Sequence, residues 1–106
     1  MSVPPKPPDE RGGGAAAKAV RAIVTIVNRR GLHARAAAKF VKVAEQFVAK
    51  IEVVKDDMVV PGTSIMGLMV LAAAPGSQLE IRARGREAKA ALAALVALVE
   101  RGFDED

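Results

Sequence analysis

Leu-Glu-Ile-Arg-Ala-Arg-Gly (79–85) alternates apolar and charged side chains without a break up to its closing glycine. Successive side chains of a strand point to opposite faces, so this segment commits the chain to a sheet with one face covered and the other in water. Such a strand needs partners, and the rest of the chain offers three. RAIVTIV (21–27) is rich in β-branched residues, with Val24 and Ile26 on one face and Ile23, Thr25 and Val27 on the other. IEVVK (51–55) and MVVPG (58–62) flank Asp56-Asp57 and read as a hairpin. Pro61 lacks an amide hydrogen, which puts its strand at an edge or places it at a strand end.

Between the strands the apolar period changes from two to about 3.6. Ala37, Val41, Ala44 and Val48, joined by Phe40 and Phe47, recur at three- and four-residue spacing and predict a helix over Ala34–Val48. Arg35, Lys39, Lys42, Glu45 and Gln46 fall mostly on its other side. Thr63 or Ser64 can cap a helix over SIMGLMVLA (64–72), which Gly67 weakens and shortens. Spacing favours Leu68 and Leu71 for its buried side, leaving Ile65, Met66 and Met69 partly exposed. Arg86–Arg101 predicts the strongest helix, with Ala88, Leu92, Leu95 and Val99 as its buried stripe and Gly102 as its stop. The order is βαββαβα. The expected fold class is α+β, a four-stranded antiparallel sheet covered on one face by three helices.

A length of 106 residues fits one domain. Hydrophobic residues make up 51%, but only three are Phe and none is Tyr or Trp, so the core must come from Ala, Val, Ile, Leu and Met. Residues 1–18 hold four prolines and three consecutive glycines and are expected to form a disordered leader. The domain is expected over 19–103, followed by an acidic tail, 104–106. The absence of cysteine excludes disulfides, a thiolate nucleophile and a Cys-based zinc site, and a single histidine excludes a multi-His metal site. No targeting segment is visible, and no apolar run approaches the roughly 20 residues that span a bilayer. A cytoplasmic protein without membrane insertion is the expectation. Net charge is +4, but residues 19–101 carry +6 and the last five residues −3. A basic body suggests an anionic partner, although charge alone favours a merely solvated basic surface.

The one histidine, His33, lies between Gly31 and the start of the first predicted helix. The first turn of a helix has N–H groups without intrahelical partners, and they favour an anion. That setting disfavours the imidazolium and keeps a neutral, nucleophilic ring available. Arg35 could offer a planar fork to phosphate oxygens, and Gly31 would let the backbone turn sharply. By position alone, a polar capping residue is the favoured reading of His33.

The strings around it are more informative. GLHARAAAKFVKVA (31–44) resembles the active-site signature of the histidine-containing phosphocarrier proteins, the HPr family of the bacterial phosphotransferase system. TSIMGLMVLAAAPGSQLEIRARG (63–85) resembles that family's serine-site helix and following strand, and REAKAALAALVALVERGF (86–103) is similar to its last helix. The resemblance covers about residues 20–103 and implies an HPr-like open-faced β-sandwich. It implies that His33 accepts the phosphoryl group on Nδ1 and that Arg35 supports it. It also implies that Ser64 is the position a serine kinase (HPr kinase/phosphorylase) modifies in some bacteria. Ile65, Met66, Met69 and Val70 match the helix that docks against Enzyme I and the IIA proteins, and Lys42 is expected to join that surface. Most members have proline where this chain has Ala36, and alanine restores an N–H at the helix start.

The resemblance therefore implies a covalent intermediate in a relay rather than an enzyme in its own right. Phosphoenolpyruvate would be the ultimate donor through Enzyme I, and a IIA-type protein the acceptor. Sugar uptake and a nitrogen-related regulatory branch would use the same chemistry. No cofactor or metal is implied, and transient binding favours a monomer. The competing readings are a small basic nucleic-acid-binding module and a small-molecule-binding domain of ferredoxin-like type. The first lacks stacking aromatics on its strands, and the second leaves the His-Ala-Arg helix start unexplained.

Overall fold

A computed structural model of the chain describes residues 19–105. The leader expected over residues 1–18 lies outside the described residues, as does Asp106. Four strands form one antiparallel sheet: β1 (Ala19–Thr25), β2 (Lys50–Lys55), β3 (Met58–Pro61) and β4 (Gln78–Arg84), in the order β1-β4-β2-β3. The strictly alternating segment is thus a central strand, paired with β1 on one side and β2 on the other. Pro61 closes β3, an edge strand, where its missing N–H leaves no ladder bond unmade.

Register carries the alternation across the sheet. Val24 lies opposite Leu79, Ala22 and Val53 opposite Ile81, and Ile51 opposite Ala83. Val24, Ile51, Val53, Leu79, Ile81 and Ala83 are all buried on the face that meets the helices. The other face carries charged side chains beside exposed Ile23 and Val59: Arg82 Nε donates to Glu80 Oε2 at 2.8 Å, and Arg21 lies 3.6 Å from the same oxygen.

Three helices cover the apolar face: α1 (Ala34–Ala44), α2 (Ile65–Val70) and α3 (Ala88–Glu100), with a 3-10 turn at Gly102–Asp104. Phe40, Leu68, Leu95 and Phe103 are fully buried among them, and truncating a buried Phe of this kind costs about 3–5 kcal/mol. The architecture is the α+β open-faced sandwich expected from the pattern. Leu68 and Leu71 are buried, as their spacing predicts.

Most elements differ from expectation by a residue or two at their ends, and three differences bear on the packing. β1 begins two residues earlier, with Ala19 and Val20 paired to Arg84 and Ala83, and ends two earlier, because Ile26 leaves the ladder and bonds instead to Gly76 and Ser77 of the loop before β4. α1 stops at Ala44 rather than Val48, so Val48 is not part of the buried stripe and is 62% exposed. The chain has to turn there to enter β2, and Glu87 holds the turn: its carboxylate accepts the Val48 N–H at 2.6 Å and its own N–H donates to the Val48 carbonyl at 2.9 Å. In α3 the buried stripe is wider than Ala88, Leu95 and Val99, since Ala91 and Leu98 join it while Leu92 is only half-buried. Small alanines on α3 let that helix sit close to the sheet.

Candidate functional site

The loop between β1 and α1 is clamped at several points. Gly31 has φ +68°, a left-handed conformation that glycine adopts without steric cost. Its Cα faces the Ala73 carbonyl so closely that a Cβ would collide with that oxygen. The next residue, Leu32, donates its N–H to the same carbonyl at 2.9 Å, which joins the loop to the segment just after α2. Asn28, a buried polar residue, donates from Nδ2 to the Gly31 carbonyl at 2.8 Å.

His33 then caps α1 with extended backbone (φ −78°, ψ 178°), and its carbonyl accepts the first intrahelical bond, from Ala37 N–H, at 2.8 Å. Its Nδ1 accepts a long contact from the Arg35 N–H, 3.3 Å. On the far side of the ring, Nε2 is hydrogen-bonded to Glu105 Oε2. One neutral tautomer satisfies both contacts: the proton on Nε2, the free lone pair on Nδ1. Nδ1 therefore points its electrons at the helix start, where Arg35 is exposed and Ala36 is wholly buried with its methyl in the core.

Glu105 reaches the ring because the chain turns back after α3. Gly102, Phe103 and Asp104 all have positive φ (66°, 56° and 62°), and the Phe103 side chain is fully buried. Lys39 Nζ donates to the Phe103 carbonyl at 2.7 Å, and Arg101 Nε donates to Asp104 Oδ1 at 2.8 Å. Glu105 Oε1 accepts a second bond from Asn28 Nδ2, 3.0 Å. The Asn28 amide holds the Glu105 carboxyl below the usual carboxylate range, with smaller contributions from His33 and Arg30, while partial burial opposes them. Among the described residues, buried Asn28 Oδ1 has no hydrogen-bond partner, while the amide nitrogen donates to Gly31 and Glu105.

An open pocket adjoins Glu105, lined by Arg29, Arg30, Arg35, Lys39, Asp104 and Glu105. Arg29, Arg30 and Arg35 are exposed, whereas Lys39 is half-buried by its contact with the returning tail. Four cations and the carboxylates of Asp104 and Glu105 line this concavity.

The other residues singled out in the sequence lie nearby or in ordinary places. Ser64 caps α2, its Oγ accepting the Gly67 N–H at 2.9 Å. Ile65, Met66, Met69 and Val70 are exposed to 39%, 75%, 42% and 60%, so a contiguous apolar patch lies on the helix joined to the histidine loop. Lys42 is exposed on α1. Glu105 and Asn28 were not singled out in the sequence. The available signal was Phe103, an apolar residue just past a glycine stop, since such residues commonly pack back on the helix they follow.

The site is a lone histidine capping a helix of a four-stranded open-faced sandwich, with Arg35 two residues further on. Comparisons with known proteins specify it further. The family described as "PTS HPr component phosphorylation site" matches residues 20–101. The chain is 47% identical over 83 residues to a protein named "Phosphocarrier protein HPr" of Pseudomonas putida, covering 77% of this chain and 92% of the relative. It is 42% identical over 82 residues to "Phosphocarrier protein NPr" of Shewanella violacea, covering 77% and 90%. The crystal structure of HPr-C-His from Thermoanaerobacter tengcongensis superposes with a TM-score of 0.79 at 40% identity, covering 82% of this chain and 98% of that one. The HPr of Bacillus anthracis superposes at 0.73 with 43% identity, covering 76% and 96%. The chain belongs to the HPr family of phosphocarrier proteins of the phosphotransferase system. Among the described residues no helix is long and apolar enough to cross a membrane.

Proposed function

We propose that this protein accepts a phosphoryl group on Nδ1 of His33 from phosphorylated Enzyme I and donates it to a IIA-type protein. The observation that carries the reading is the pair of contacts on the ring: Nε2 is engaged by Glu105, and Nδ1 faces the Arg35 N–H at the helix start. In the transfer, the N–P bond to Nδ1 forms as the bond between phosphorus and the donor breaks. Arg35 then has two ways to hold the phosphoryl oxygens, its guanidinium and its own N–H, which the ring nitrogen gives up on phosphorylation. The Ala36 N–H, in the same first turn, adds a further donor where proline would have none.

The exposed patch of Ile65, Met66, Met69 and Val70, with Lys42 beside it, serves as the docking surface for donor and acceptor in turn. Flexible, polarizable methionines suit a surface that meets more than one partner. Phosphorylation of Ser64 by an HPr kinase/phosphorylase would add about two negative charges at the edge of that patch and weaken docking. The protein acts in the cytoplasm as a monomer that binds each partner transiently.

Intact-mass spectrometry after incubation with Enzyme I and phosphoenolpyruvate tests the reading. A single acid-labile phosphoryl adduct on the parent, absent from His33→Ala, is the expected result. A parent chain that stays unmodified by an Enzyme I shown to phosphorylate another carrier would overturn it.

A further inference from the structure

The phosphocarrier reading uses Nδ1 of His33 and leaves the other half of the ring unexplained. We propose that Glu105 is a positioning residue for the relay. Its carboxylate, held by Asn28, fixes the His33 imidazole with the proton on Nε2 and balances the ring's charge while Nδ1 carries phosphorus. The proposal rests on the phosphocarrier reading and deepens it.

Two features converge on this contact. The first is the closed chain of bonds from Gly31 carbonyl to Asn28 Nδ2, from Asn28 Nδ2 to Glu105 Oε1, and from Glu105 Oε2 to His33 Nε2. The second is the anchor: Phe103, buried two residues before Glu105, and the Lys39 bond to its carbonyl keep the tail on the site.

The chemistry balances without moving a proton. Before transfer the ring is neutral, with hydrogen on Nε2 and a lone pair on Nδ1. That pair forms the N–P bond, the bond from phosphorus to the phosphorylated donor breaks, and its electrons leave with the donor. The ring is now an N-phosphorylated imidazolium, still carrying hydrogen on Nε2, and Glu105 lies against its positive charge. In onward transfer the N–P bond breaks, its electrons return to Nδ1, and the ring is neutral again. A carboxylate on Nε2 favours the charged ring, which is the better leaving group. The other charged groups around the ring are Arg29 and Arg30 in the loop, Arg35 and Lys39 on α1, and Asp104 in the 3-10 turn. The cations favour the phosphoryl oxygens rather than the imidazolium, so the compensating charge falls to Glu105.

The test compares the parent with Glu105→Gln, Glu105→Ala and, as a charge-matched control away from the site, Glu100→Gln. The imidazole 15N and 1H signals are read first, with no donor present. The parent and Glu105→Gln should show an Nε2 proton protected from solvent exchange, and Glu105→Ala should lose it. After phosphorylation, phosphohistidine hydrolysis is followed against pH. Removing the charge in Glu105→Gln should move the profile about one pH unit towards acid and slow hydrolysis at neutral pH about threefold to tenfold. Glu100→Gln should match the parent. A protected Nε2 proton in Glu105→Ala, or a Glu105→Gln profile coincident with the parent's, would overturn the proposal. A parent that takes no phosphoryl group overturns the carrier reading instead. The two failures are distinguishable because the Nε2 proton is read before any donor is added.

Discussion

Gly31 and Ala73 meet backbone to backbone: the glycine Cα faces the alanine carbonyl, and that carbonyl accepts the N–H of Leu32. The contact fastens the histidine loop to the end of the helix that carries the apolar patch. Gly31→Ala combines a left-handed backbone with a collision against an oxygen that has little freedom to retreat. It should cost about 2–3 kcal/mol, read as a lower denaturant midpoint with an unchanged slope. Because nucleophile and patch are joined there, phosphotransfer from Enzyme I should fall by more than stability alone accounts for, measured where both chains are fully folded.

Arg35 and Ala36 separate charge from backbone at the helix start. Arg35→Ala should lower the kcat/KM for phosphorylation about tenfold or more, and Arg35→Lys should recover only part, since a point charge cannot grip two oxygens. Ala36→Pro removes one N–H and should speed phosphohistidine hydrolysis. Unchanged or slower hydrolysis would remove the case for that contact. Rates of phosphoryl gain and loss, followed by intact mass, check both.

Ser64 has a structural duty that can be separated from a regulatory one. Ser64→Ala removes the bond to the Gly67 N–H and should cost about 1 kcal/mol of stability with little effect on transfer. Ser64→Asp keeps a capping oxygen and adds charge beside Ile65 and Met66. It should retain most of the stability and raise the KM for Enzyme I. Thermal melts set against transfer kinetics distinguish the two.

Two carboxylates give the fold a predictable response to acid. Glu80 is held below its usual pKa chiefly by its hydrogen bond from Arg82, and Glu105 chiefly by the one from Asn28. For a group lowered on folding, the unfolded chain binds the proton first. Its contribution is complete above the ordinary glutamate pKa of about 4.3 and is lost as pH falls through the lower folded value. The difference in melting temperature between the parent and Glu105→Gln, or Glu80→Gln, should therefore be constant near neutrality and shrink below about pH 4. A difference that persists undiminished at pH 2.5 would count against these ion and hydrogen-bond assignments.

The alternation of Leu79 to Arg84 and the β-branched run before Asn28 made the sheet legible in the sequence, because burial of one face writes itself into every second residue. His33 and Arg35 were legible because their neighbours in sequence are also their neighbours in space. Val48 misled because helical spacing continues past Ala44, while the Glu87 clasp that ends the helix comes from 39 residues away. Glu105 was hidden for a related reason: its acidic surroundings read as a solvated tail. Only the burial of Phe103 and the left-handed turn from Gly102 to Asp104 bring it 72 residues back to His33.

The course of β1 bears on how the protein is handled at the bench. That strand leads into the histidine loop from its Thr25 end, so a fusion joined ahead of Ala19 starts about 20 Å from the loop, given some 3.3 Å per strand residue. A fusion joined directly after Glu105 has no such clearance, because that residue is seated on the imidazole. An affinity tag appended there would hang from the nucleophile's own support, and activity data from such material would report on the tag as well as on the protein.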